Sequence, residues 1–270
     1  MLEKPKVALI GVGSMGGALL DGWCSAHSID FQGSAIYDPN IDQHRAVAAQ
    51  KLGIAVNPGE PNVSFDVTVI AIKPQIAPKI LGDYAAIAQD TLIISVVAGL
   101  SLAKLRKGLG GDHNIFRTMP NIPALYNAGV TGILAPDPCS EMARKVVDSL
   151  MSAVGETVWV ESERLIDVVT AISGSGPAYF LSMTEALTSA AVELGITREK
   201  AAILARSTLI GAGIVASKSE LPIADLRRSV SSPGGTTEAA LNILDGDDCV
   251  LRKLVNKAVE AAAKRANELS

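Results

Sequence analysis

The stretch Ser231-Ser232-Pro233-Gly234-Gly235-Thr236-Thr237 puts four hydroxyl side chains and two glycines into seven consecutive residues, directly ahead of an Ala- and Leu-rich run that begins after Glu238. Hydroxyl residues cap helix N-termini, and paired glycines let several backbone N–H groups turn to one side. The segment therefore has the chemistry of an anion cradle, reinforced by the dipole of the helix behind it. An ordinary turn between two helices needs one cap residue and one glycine, and this run of seven exceeds that need. A second candidate stands near the start of the chain. Gly11, Gly13 and Gly16 have G-x-G-x-x-G spacing. In that pattern the first glycine permits a tight turn, the second admits a pyrophosphate against the backbone, and the third lets a helix pack on a strand. Asp38 follows at the separation where an acidic side chain can bind both hydroxyls of a ribose.

These residues need elements to position them. KVALIGVG (6–13) reads as a buried parallel strand, SMGGALLDGWCSA as the helix after it, and SAIYDP (34–39) as the strand that completes a βαβ unit. Further strands are expected at 66–74, 91–99, 113–121, 130–136 and 156–161, with helical segments such as SLAKLRKGLG between them. That alternation predicts a mostly parallel sheet with helices on both faces. Ligands of such sheets bind beyond the carboxyl ends of the strands. AIKPQ (71–75), where Pro74 stiffens the turn carrying Lys73, and VAG (97–99) should therefore border the same crevice as the glycine turn.

After Glu161 the strand pattern stops. Residues 164–195 have helical spacing interrupted by Ser173-Gly174-Ser175-Gly176-Pro177, where a kink or tight crossing is expected. Helices follow at 197–219 with Thr197 as the N-cap, at 223–230, at 237–244, and at 249–269 after an Asp245-Gly246 turn. Two domains are expected: a dinucleotide-binding domain over 1–162 and a helical substrate-binding and dimerisation domain over 163–270. The many small residues on the helical half fit a core completed by a second copy of the chain, and a compact monomeric bundle has the same composition.

Composition narrows the function. The chain has 270 residues, a net charge of -4 and only 4% aromatic residues, with no basic run to meet nucleic acid. The three cysteines and three histidines show no metal-ligand spacing, and the lone cysteines suit a reducing compartment. The apolar run LIISVVAGLSL (92–102) is well short of a membrane span, and no signal peptide is recognised, so a cytoplasmic protein without a membrane partner is expected.

The assembly of VALIGVGSMGGAL, AIKPQ, VVAG, RTMPNIPAL, SGSGPAYF and, most specifically, PIADLRRSVSSPGGTTEAALNIL resembles the pyrroline-5-carboxylate reductases, over about residues 6 to 265. The resemblance implies a Rossmann-type dinucleotide-binding domain followed by an all-α dimerisation domain like the C-terminal domain of 6-phosphogluconate dehydrogenase. It also implies reduction of 1-pyrroline-5-carboxylate to L-proline with NADP or NAD as the cofactor pair, and dimers that often assemble further into a decamer, a pentamer of dimers. The dinucleotide would be held by Ile10, Gly11, Val12, Gly13, Ser14, Met15 and Gly16, with Asp38 at the ribose. Ala71, Ile72, Lys73 and Pro74, and then Val97, Ala98 and Gly99, would form the walls. The substrate carboxylate would lie on Ser232 and the N–H groups of Gly235 and Thr236, with the Thr237 hydroxyl on the ring nitrogen as the catalytic contact. Glu163 and Glu220 match positions at the edge of the substrate site.

Two departures matter. Ile122 stands where many members have threonine, and Asp38 stands where members preferring NADPH commonly have small polar residues. His44 and Arg45 lie close enough in sequence to offset that carboxylate, which leaves the cofactor preference open.

Two other readings compete. A 3-hydroxyacid dehydrogenase would place a catalytic lysine on the helix after SGSGP, but residues 177–199 contain none, and alcohol oxidation needs a base that these residues do not offer. A non-catalytic nucleotide sensor would leave SSPGGTT as an unused cap.

Overall fold

A computed structural model describes residues 4–59 and 64–269. Eight strands form one sheet: β1 (Val7–Ile10), β2 (Ala35–Tyr37), β3 (Ala55–Val56), β4 (Val67–Ile70), β5 (Leu92–Ser95), β6 (Ile115–Met119), β7 (Gly129–Leu134) and β8 (Gly155–Val160). Their order is β3-β2-β1-β4-β5-β6-β7-β8. All pairings are parallel except β6 with β7. The chain leaves β1 for β2 on one side and returns to β4 on the other, so the crevice of an open sheet falls at the end of β1.

Helices cover both faces. The sheet is flanked by α1 (Ser14–Ala26), α2 (Gln43–Lys51), the single turns α3 (Ala77–Ile80) and α4 (Ala85–Ala88), α5 (Leu102–Leu109), α6 (Glu141–Ser152) and α7 (Glu163–Val169). One core joins Leu19 and Trp23 of α1 to Val147, Leu150 and Met151 of α6 under the sheet. The other packs Ala77, Leu81, Leu105 and Leu109 on the opposite face. Trp23 is fully buried and its indole N–H donates to Leu150 O at 2.8 Å, so the largest apolar side chain of α1 also has its one polar atom satisfied. β1 and β4 are buried along their whole length, which is why β1 reads as an unbroken aliphatic run and β4 departs from one only at Thr68, whose hydroxyl is hydrogen-bonded to Ile87 O and Thr91.

The remaining elements are α8 (Gly176–Glu193), α9 (Arg198–Lys218), α10 (Ile223–Ser229), α11 (Thr236–Asp245) and α12 (Val250–Leu269). The chain separates into two compact units, one of residues 1–174 with 262–270 and one of residues 175–261. This division falls later than the end of the strand pattern at 162 because α7 packs with the sheet: its Glu163 and Asp167 pair with Arg117 of β6. The interruption foreseen at 173–177 is a π-helical turn over Thr170–Gly174, and α8 then starts with Pro177 in its first turn, where a missing N–H costs nothing.

Strand β3 was not foreseen, since two residues cannot display a periodicity. The strand expected over 113–121 stops at Met119, and a 3₁₀ turn runs from Ile122 to Tyr126. Thr197 stands at the start of α9 as expected but makes no side-chain cap bond there. In length and composition α9 would suffice to cross a membrane, and only 11% of its apolar window is buried within the chain.

Candidate active site

The three glycines of the first turn do three different things. Gly11 has φ 89°, and a Cβ there would stand 2.7 Å from Ala71 O, so both the backbone conformation and the close approach of the loop after β4 require glycine. A Cβ on Gly16 would collide with Gly11 O and touch the Ala71 side chain at 3.0 Å, which fixes how closely α1 sits on the strand ends. A Cβ on Gly13 would meet nothing within 4 Å. Gly13 is also the N-cap of α1 and supplies no side-chain cap, so the first N–H groups of the helix face open space. An open glycine ahead of an uncapped helix N-terminus fits a pyrophosphate.

A cavity of ≈ 330 Å³ adjoins this turn. The structure brings Gly13, Ser14, Met15, Ala71, Ile72, Lys73, Pro74 and Ala98 to its wall. Val97 is instead buried in the core, and Gly99, with φ 65°, is packed against Leu269, 3.2 Å from the Leu269 Cβ to a Cβ built on Gly99. The sequence reading did not count Val96, Met119, Pro120, Asn121 or Gly174 as lining, yet they complete the wall together with Ile122. The signal was present in Met119-Pro120-Asn121, a strand end stopped by proline on the same edge of the sheet. Asn121 is the joint: its Nδ2 donates to Ser173 O at 3.0 Å, and its Oδ1 accepts from Val130 N at 2.9 Å. Ile122, where a threonine was the family pattern, is 56% exposed at the rim and offers the cavity an apolar wall.

Asp38 is held rigidly. Its Oδ2 accepts from Val12 N at 2.7 Å and its Oδ1 from Asn40 N at 2.8 Å. Asn57 clamps the same residue from the other side, accepting from Asp38 N and donating to Asp38 O, both at 2.8 Å. Each carboxylate oxygen keeps a free lone pair for a ribose hydroxyl. Burial, and after it the charges of Asp83 and Asp38, push the nearby Tyr84 phenol up from its ordinary pKa.

In the helical unit the SSPGGTT segment forms a tight turn into α11. Gly234 alone adopts positive φ, 70°. The Glu238 carboxylate accepts from Gly234 N at 2.7 Å, reaching back from the first turn of α11 to the residue before the N-cap. Gly235 is the N-cap with φ -84°, so only the first of the two glycines uses a left-handed conformation. What holds glycine at 235 is space, since a Cβ would lie 2.9 Å from Ser232 O. Gly235 N–H donates to Ser232 O at 3.0 Å, which leaves the first-turn N–H groups of Thr236 and Thr237 as the outward donors. No side chain caps α11. At the far end of α11 the Asp245 carboxylate accepts from Arg252 at 2.7 Å and Arg227 at 3.0 Å, tying α10 and α12 to the helix that carries the loop.

The two glutamates differ in setting. Glu163 Oε1 accepts from Arg117 Nη1 at 2.8 Å and Leu102 N at 2.9 Å, within the sheet unit. Glu220 is exposed between α9 and α10.

A parallel sheet opening on this glycine turn, followed by a helical domain, places the chain among the two-domain nicotinamide-dinucleotide oxidoreductases. Residues 163–269 match the family model "Pyrroline-5-carboxylate reductase dimerisation", and residues 6–99 match "NADP oxidoreductase coenzyme F420-dependent". Pyrroline-5-carboxylate reductase of Pseudomonas aeruginosa is 36% identical, with 100% of this chain and 98% of the relative aligned. The Coxiella burnetii pyrroline-5-carboxylate reductase structure superposes with TM-score 0.88 at 34% identity, covering 99% of both chains. A Plasmodium falciparum pyrroline carboxylate reductase structure with NADP bound gives TM-score 0.79 at 28% identity, covering 100% of this chain and 99% of the other. The chain belongs to the pyrroline-5-carboxylate reductase family. Its helical part is that family's dimerisation domain, so the protein associates with copies of itself.

Proposed function

We propose that the chain reduces 1-pyrroline-5-carboxylate to L-proline with NADH or NADPH, the last step of proline biosynthesis. Family membership supports this reading, and the observation that carries it is the uncapped N-terminus of α11 behind a turn of hydroxyl residues and glycines. Residues 1–162 then serve dinucleotide binding and 163–270 substrate binding and dimerisation. The dimer is proposed as the unit of a decamer, and the cytoplasm as the compartment, by likeness to the bacterial reductases. The apolar faces of α8 and α9, with Phe180, Leu187, Ile203, Ile210 and Ile214 all exposed in the single chain, are proposed to be covered by the second copy rather than by lipid or nucleic acid.

When bound, the dinucleotide supplies the hydride. The residues of this chain bind and orient. The open backbone at Gly13 and the first turn of α1 receive the pyrophosphate, while Asp38 accepts from the ribose hydroxyls. Ala71, Pro74, Ala98 and Ile122 wall the cavity and exclude water from it. The substrate carboxylate meets Ser232 and the N–H of Thr236, with Gly235 keeping the approach free of a side chain.

The Thr237 hydroxyl accepts the hydrogen bond of the protonated ring nitrogen, which orients the electrophilic carbon. Because the imine is protonated before reduction, the ring nitrogen of the product keeps that proton and no strong general acid is required. Mixing the protein with pyrroline-5-carboxylate and either reduced dinucleotide should bleach the nicotinamide absorbance. Tight dinucleotide binding without bleaching would instead favour a nucleotide sensor.

A further inference from the structure

The mouth of the dinucleotide crevice is arranged against a 2′-phosphate. Asp38 faces the ribose position with its carboxylate fixed by Val12 N at 2.7 Å and Asn40 N at 2.8 Å, so it cannot swing aside to make room for a second anion. The start of α2 lies just beyond, and a helix N-terminus there would ordinarily attract a phosphate. It is closed instead by the chain's own Asp42, whose side chain accepts from His44 N at 3.0 Å and Arg45 N at 3.2 Å. The Arg45 guanidinium, just past the start of α2, has an acidic partner. It donates to Asp21 on α1 at 2.8 Å and lies over Gly17, where a side-chain carbon would stand 2.6 Å from it. The absence of a side chain at Gly17 is what admits the guanidinium to that place.

From this we infer that the protein discriminates against the 2′-phosphate and works as an NADH-preferring member of its family. Asp38 and Asp42 set the repulsion, and the Arg45 guanidinium that could relieve it is paired with Asp21. The inference rests on the dinucleotide reading given above and specifies which of the two cofactors that site takes. A carboxylate facing a phosphate without a compensating cation weakens binding on the order of tenfold or more.

Equilibrium titration of the full-length protein with NADH and with NADPH, followed by protein fluorescence or calorimetry, tests this without reference to turnover. The wild type should bind NADH about tenfold or more tightly than NADPH. Asp38→Asn removes the charge and keeps an acceptor oxygen for one of the two backbone amides, and should tighten NADPH binding relative to NADH. Asp21→Asn releases Arg45 and should tighten NADPH binding alone. A wild-type protein that binds NADPH as well as NADH overturns the inference, as does an Asp38→Asn variant whose two dissociation constants move together. Binding of neither dinucleotide would overturn the cofactor reading itself and this inference with it, so the two failures are told apart by the NADH titration.

Discussion

Glu163 offers a sharp separation between a structural and a substrate-binding role. Replacing it with alanine removes one acceptor serving two donors, the Arg117 guanidinium at 2.8 Å and Leu102 N at 2.9 Å. The Arg117 side chain is only 4% exposed, and Asp167 stands at 3.6 Å, so the arginine keeps an ionic partner. A hydrogen bond to a charged group contributes ~1.5–3 kcal/mol and a neutral one ~1 kcal/mol. The glutamate side chain itself is 38% exposed, so water compensates part of the loss and a net destabilisation of about 2 kcal/mol is expected. For a chain of this size that corresponds to a fall in Tm of roughly 4–8 °C, and Glu163→Gln, which retains a neutral acceptor, should lose about half as much. Calorimetry at fixed protein concentration reads the stability, and steady-state kinetics well below the melt read the substrate. KM for pyrroline-5-carboxylate should stay within about twofold of wild type. An unchanged Tm with KM raised tenfold or more would refute this reasoning and return Glu163 to the substrate site.

Thr237→Ala should lower kcat/KM by roughly ten- to a hundredfold while sparing dinucleotide affinity and Tm, because no side chain caps α11; early melting with normal turnover would reduce the loop to a turn. The hydrogen bond from Arg252 leads the effects that hold Asp245 below the ordinary aspartate range, against the opposing effect of burial and with Arg227 adding to it. A carboxyl lowered in the fold contributes stability above the ordinary aspartate pKa, and that contribution is lost as the pH falls through the lowered value. Asp245→Asn should therefore flatten the acid limb of the stability curve, and an unchanged limb would contradict the assignment. Ile214→Arg on the exposed face of α9 should dissociate the oligomer in sedimentation experiments, whereas unaltered sedimentation would show that this face is not the interface.

What the sequence made legible was local. The glycine turn, Asp38 behind it and the SSPGGTT segment are each encoded within a few residues, and the buried parallel strands announce themselves because full burial favours β-branched and aliphatic residues. The parts it hid depend on residues far apart in the chain. Nothing near Glu163 signals Arg117, and nothing near Gly99 signals Leu269. The pairing of Arg45 with Asp21 is equally silent. Conformation is equally hidden between neighbours: two adjacent glycines look alike in sequence, and only the structure distinguishes Gly234, which needs positive φ, from Gly235, which needs room.

The exposed leucines, isoleucines and phenylalanine of α8 and α9 tie the lifetime of the fold to how much protein is present. Under the interface proposed above, those helices bury their remaining apolar faces against another copy, so folding and association would share one equilibrium and mass action would enter the thermodynamics. The melting temperature should then climb with the logarithm of protein concentration. A newly made chain carries an adhesive surface until it finds its counterpart, so refolding yield should pass through an optimum, limited by slow encounter at low concentration and by off-pathway aggregation at high concentration.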